Sequence, residues 1–125
     1  MTGRFLASTF TAIVALTLAT PALADPWDFV LTNQTGKTIK LVEVSPTGQG
    51  AWTPEVVDKD ITPDTSIRNG ANHTVHFDKA GDACVFDVRL TLDDGSSMVW
   101  NKLNVCDDAF AIVGIANGAP TLKAN

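Results

Sequence analysis

Tyrosine is missing altogether from these 125 residues, and cysteine occurs only twice. There is no Cys-x-x-Cys pair, no Gly-x-Ser-x-Gly elbow, no Arg-Arg pair and no cluster of lysines or arginines. Each absence removes a class. Neither Cys84 nor Cys106 has a histidine or a third cysteine beside it. A redox couple and a cysteine metal site therefore lack their usual signature. Without a nucleophile elbow, hydrolase chemistry has no recognisable setting. Fourteen acidic residues face nine basic ones, and no basic stripe is present. Nucleic acid and anionic membrane are thus poor partners. No apolar run reaches the roughly 18 to 20 residues that span a bilayer.

What is there begins with an export signal. Arg4 gives a positive start, residues 5–18 form an uncharged apolar stretch, and Ala22-Leu23-Ala24 has the small-x-small pattern of a signal-peptidase site. The apolar stretch is short for an uncleaved anchor. No cysteine near the cut supports a lipid anchor, and the missing Arg-Arg pair favours the general secretory route. The sequence thus predicts a signal peptide over 1–24 and a single domain over 25–125, periplasmic or secreted and with no membrane anchor after cleavage. Loss of Arg4 leaves the processed chain slightly more acidic than the whole. Export also places Cys84 and Cys106 in an oxidising compartment, where a disulfide is the default. Closing a loop of this length stabilises by about 3 kcal/mol in the chain-entropy account.

The periodicity of 25–125 is that of strands. Residues 29–32 and 38–44 read as strands flanking the turn Asn33-Gln34-Thr35-Gly36, which together predict a first hairpin. Between 45 and 69 the pattern is broken by Pro46, Gly48, Gly50, Pro54 and Pro63, leaving a long loop with one helical turn expected near Pro54. Loops this long in small domains are uncommon unless they serve a function or are disordered.

A short strand is expected over 72–77. In the next, Phe86, Val88, Leu90 and Leu92 alternate with polar neighbours, and Asp94-Gly95 turns it back into a partner strand over 98–105. Cys84 and Cys106 lie equally far from Gly95. In a symmetric hairpin they are cross-strand neighbours. A last strand at 110–115 precedes a tail expected to fray. The sequence predicts an all-β fold, a small antiparallel β-sandwich or barrel of about six strands.

In order, the landmarks are Phe29-x-Leu31-x-Asn33-x-Thr35-Gly36, then Val44-Ser45-Pro46, Cys84-x-Phe86-Asp87, Asp94-Gly95, Trp100 and Asn104-x-Cys106. Over nearly all of 25–125 this resembles a group of small exported bacterial proteins of uncharacterised function. The resemblance implies a β-fold with a disulfide and no known activity. Two departures stand out. Where those proteins often read Trp-Gly-x-Asp-x-Leu, this chain has Trp52-Thr53-Pro54-Glu55-Val56-Val57, and 60–66 is extended.

Candidate chemistry is sparse. His73 and His76 are three apart, so on a strand they face opposite ways and cannot share an ion; they read as surface or turn histidines. Asp58, Asp60 and Asp64 offer oxygens for calcium, but Lys59 intrudes and the EF-hand spacing is absent. Glu43 with Glu55, or any pair of aspartates, could be imagined as a couple for glycoside chemistry, with nothing in the sequence to place them in one cleft. No catalytic constellation is detected. Asn33 and Asn72 sit in incidental glycosylation sequons.

Trp52 is the most suggestive side chain. In a Gly/Pro loop it is either a lid on the core or an anchor for a partner. Trp27 and Trp100 read as structural. The leading expectation is a non-enzymatic exported binding module, its partner an unknown protein or cell-envelope component, docking at Trp52, Pro54 and Glu55. The alternative is a calcium-binding β-domain through the acidic loop. Tyrosine-bearing lysozyme-inhibitor motifs are excluded outright.

Overall fold

In the computed structural model of the chain, the described residues are Gly3, 24–57 and 66–125. They form eight strands: β1 (Ala24–Gln34), β2 (Ile39–Pro46), β3 (Thr53–Pro54), β4 (Asn72–Ala80), β5 (Val85–Leu92), β6 (Ser97–Asn104), β7 (Phe110–Ala116) and β8 (Ala119–Ala124). The strands make a sandwich of two four-stranded sheets, ordered β4-β1-β7-β8 and β3-β2-β5-β6. The expected all-β sandwich is what forms, with eight strands rather than about six and with one parallel pair, β1 with β7. Among the described residues no helix is long and apolar enough to cross a membrane. The expected signal peptide, apart from Gly3 and Ala24, lies outside the described residues.

The inward faces follow the period of two. Phe29 and Leu31 of β1, Val75 and Phe77 of β4, and Phe86 and Leu90 of β5 are all buried in one continuous core. Phe77 meets both Phe29 and Phe86 edge-to-face, with ring centroids 5.9 and 5.1 Å apart, which ties the two sheets together. Trp100 is 1% exposed, and its indole N–H is shared between the carbonyls of Gly114 and Thr121, binding β6 to the β7-β8 hairpin.

The expected first hairpin does not exist. β1 and β2 belong to different sheets, so residues 35–38 arch from one sheet to the other. The cause is Asn33. Its buried amide donates to the carbonyls of Lys37 and Ile67 and accepts the Thr35 N–H, folding the chain across the sandwich. Only Gly36 takes positive φ there (83°), whereas a two-residue type I′ hairpin needs two such residues.

That pair occurs instead at Asn117 (φ 53°) and Gly118 (φ 76°), the turn joining β7 to β8. The expected frayed tail is therefore an ordered edge strand, paired with β7 from Ala116↔Ala119 to Ala111↔Ala124.

The long connection is also more ordered than the sequence implies. β2 runs on to Pro46, and 53–54 add to its edge as β3, with Glu43 opposite Pro54. No helical turn forms over the described residues 53–57. A proline is tolerated there because the strand is at an edge. The Glu55 N–H then bonds the Val42 carbonyl and the Val56 N–H bonds the His76 carbonyl, so the chain steps from one sheet to the other. After the undescribed residues, Ile67 bridges Ile39 and is 2% exposed.

The β5-β6 hairpin forms as expected, but with a bulge. Phe86 pairs with Leu103 and Val88 with Trp100, so β6 carries an extra residue, and Lys102 takes φ 62°. The Asp87 carboxylate accepts the Lys102 N–H that the bulge would orphan. The Cys84–Cys106 disulfide forms with Cα atoms 5.2 Å apart. The ladder is centred one residue off Gly95, so the bridge lies just past its last pair, Val85↔Asn104.

Candidate functional site

The residues expected to dock a partner are brought near one another but are not equally available. Pro54 is exposed on β3. Trp52 is half-buried against the outer face of the second sheet, where the Arg89 guanidinium stacks on its ring at 4.6 Å. Arg89 in turn donates twice to Glu43, at 3.0 and 2.8 Å, and this carboxylate raises the arginine's pKa further. Trp52 thus packs on Arg89 at the outer face of the second sheet and is not part of the core cluster.

Glu55 is buried rather than offered at the surface. It is 9% exposed, and its two carboxylate oxygens lie 3.1 and 2.9 Å from the His73 Nε2. Its carboxylate is engaged within the chain. His73 is likewise not a surface histidine. It shares the inward parity of Val75 and Phe77 on β4 and is half-buried. The hydrogen bond to Glu55 is the main cause raising its pKa, against the opposing effect of burial. An acid on the chain leaving β3 is thereby clamped to a base on β4, across the gap between the sheets.

The lid is Trp27. It lies opposite Phe77 on the inward side of β1, at the open end of the sandwich. Its Nε1 donates to the Val105 carbonyl at 2.9 Å, and the Lys79 ammonium sits 4.4 Å from its ring centroid. Lys79 is itself only 3% exposed and donates to the backbone carbonyls of Ala80 and Gly81. Cation–aromatic stacking and those carbonyls take the place of a carboxylate partner.

Trp27 remains 36% exposed, and Val56 opposite it is 56% exposed. With the turn 105–109 they surround a hollow of about 510 Å³ whose apolar lining includes Trp27, Val56, Phe77 and Val105. The turn is braced by the disulfide and by Asn104, whose side-chain oxygen accepts the N–H groups of Cys106 and Asp107. Around the hollow stand four carboxylates, Asp28, Asp78, Asp107 and Asp108, and one base, His76, whose Nδ1 is 3.8 Å from Asp28.

Among the described residues around the hollow there is no serine, threonine, lysine or free thiol. Glu43 and Glu55, the glutamate couple named from the sequence, are each engaged by a different side chain, Arg89 and His73. Among the described residues no three His, Cys, Asp or Glu side chains are gathered to hold a metal. Asp58, Asp60 and Asp64, the expected calcium ligands, lie outside the described residues. Asp94, by contrast, is accounted for: Lys37 and the Ser96 hydroxyl and N–H bond it and hold its carboxyl well below the usual range.

Several residues of the ordered pattern are structural. Asn33 forms the arch, and the side-chain amide of its sequon is buried and bonded there. The Ser45 hydroxyl accepts the Ala51 N–H. Asp87 accepts from the Thr47 hydroxyl, the Gly48 N–H and the Lys102 N–H. Each satisfies backbone groups at a turn or bulge.

No protein-family model matches the chain, and no curated protein sequence does. The chain is similar in structure to a protein from Eubacterium rectale solved by NMR, with a TM-score of 0.53 and 17% identity over 79% of this chain and 87% of that one. At that identity the likeness is one of fold.

Proposed function

We propose that the chain is a non-enzymatic exported binding module, periplasmic or secreted, that captures a protein or cell-envelope component in the groove between Trp27, Val56 and the turn 105–109. The observation that carries this reading is the joint exposure of Trp27 and Val56 around one open apolar hollow. Large aromatic side chains in a desolvated pocket are the usual anchors of an interface. The frame is also preformed. The disulfide, the Asn104 contacts and the Trp27–Val105 bond fix the far wall, so little order has to be imposed on binding. Export is supported by the leader-like N-terminal sequence and by the disulfide. The long loop joins the site through Val56, while Trp52 and Glu55 are committed within the chain.

The test is retention from a soluble envelope extract of the producing organism on three columns: wild type, Val56→Asp and Trp52→Ala. A protein held by wild type and Trp52→Ala but released by Val56→Asp is the expected result. Retention lost with Trp52→Ala and kept with Val56→Asp would transfer the site to the outer face of the second sheet. No specific retention by wild type would count against a binding module.

A further inference from the structure

We infer that the occupant of this groove is a basic segment of a partner protein, an apolar side chain seated on Trp27 and Val56 with lysines or arginines on either side. This deepens the binding-module reading and rests on it.

The charge of the rim carries the inference. Asp28 and Asp78 stand on the adjacent strands β1 and β4, and Asp107 and Asp108 stand on the turn that forms the opposite wall. Among the described residues, neither Asp78 nor Asp108 has a side-chain ion pair or hydrogen bond. Lys79 is turned inward against Trp27, Arg89 is held by Glu43, and Lys37 by Asp94. Among the described residues, His76 is the single basic residue lining the hollow.

An apolar floor with unneutralised carboxylates on two walls complements an apolar group flanked by positive charge. Carboxylates divided between two walls suit several cations spaced along a chain better than one compact cation. A volume of about 510 Å³ takes one or two side chains of such a segment, with its flanks left at the rim. The overall charge of −5 adds a field that draws basic partners towards the site.

The inference is tested by calorimetry on the purified protein with three probes. These are a short peptide carrying one leucine between lysines, the same peptide with glutamate for lysine, and spermine. The leucine–lysine peptide is expected to bind, the glutamate peptide not, and spermine more weakly than the peptide. Affinity for the peptide should fall as salt rises, because the rim charges are exposed and screened. Asp108→Lys should weaken binding at least about tenfold. The charge-matched control Asp93→Lys, at the far end of the β5-β6 hairpin, should change it little.

Equal binding of the glutamate peptide, spermine binding as tightly as the peptide, or equal losses from the two aspartate variants would each overturn the inference. If the peptide fails while the extract still yields a protein that Val56→Asp releases, the basic occupant is wrong and the groove stands. If both fail, the binding-module reading falls with it.

Discussion

The Trp27 indole N–H donates to the Val105 carbonyl at 2.9 Å, across 78 residues of sequence. That bond joins the first strand to the residue before Cys106 and so couples the floor of the groove to its disulfide-braced wall. The lid of the core and the anchor of the candidate interface are the same side chain.

Trp27→Phe keeps the apolar floor and removes the donor. The expected cost is about 1 kcal/mol, the net worth of a neutral hydrogen bond. For a domain of this size that is a fall in Tm of roughly 4 to 8 °C. Thermal melts followed by far-UV circular dichroism measure it. An unchanged Tm would mean that the indole N–H is equally well satisfied by water.

The Glu55–His73 pair predicts a pH dependence of definite sign. Glu55 raises the pKa of His73 in the folded protein, so folding favours the protonated ring. That stabilisation is fully present below the unfolded histidine value of about 6.5 and is lost as pH rises through the higher folded value. The Tm advantage of wild type over His73→Gln should therefore be largest in mild acid and shrink above neutrality. An advantage that grows with pH would contradict the pairing.

Asn33→Asp preserves shape but deletes both donors and points a carboxylate at the carbonyls of Lys37 and Ile67 in a fully buried site. A loss of about 3 kcal/mol or more is expected in denaturant unfolding. A loss below about 1 kcal/mol would show that the arch does not depend on this amide.

Joint replacement of Cys84 and Cys106 by alanine opens a bridge between residues 22 apart in sequence. The expected cost is about 3 kcal/mol, with a Tm lower by more than about 10 °C. A near-unchanged Tm would place the constraint elsewhere, in the Asn104 contacts and the Trp27–Val105 bond.

Much of the scaffold was legible because one-sided burial writes itself into the sequence. The alternation of Phe86, Val88, Leu90 and Leu92 marks β5, and Asp94-Gly95 marks its turn. The arch was not legible, since β1 and β2 show the same one-faced pattern whether they pair or face each other; only the hydrogen bonds of Asn33 separate the two outcomes. β8 was missed because an exposed edge strand buries little and needs no apolar period. The one available signal was Asn117-Gly118.

The site was harder still. Burial of Glu55 depends on His73, which is 18 residues away and on the other sheet. The groove draws its walls from 26–28, 56, 76–78 and 105–109, and no local window contains them together. Trp27 offered a faint sign, an aromatic at a strand start between Pro26 and Asp28. Trp52, in its conspicuous Gly/Pro loop, drew the functional reading instead.

The three tryptophans allow the central claim to be read in a single spectrum. Trp27 reports the groove, Trp52 the outer face of the second sheet and Trp100 the core. Nitrogen-15-labelled protein, mixed with unlabelled soluble envelope extract, should show the Trp27 indole N–H signal shifting or broadening while those of Trp52 and Trp100 hold still. A response at Trp52 with Trp27 unmoved would contradict the groove as the docking surface.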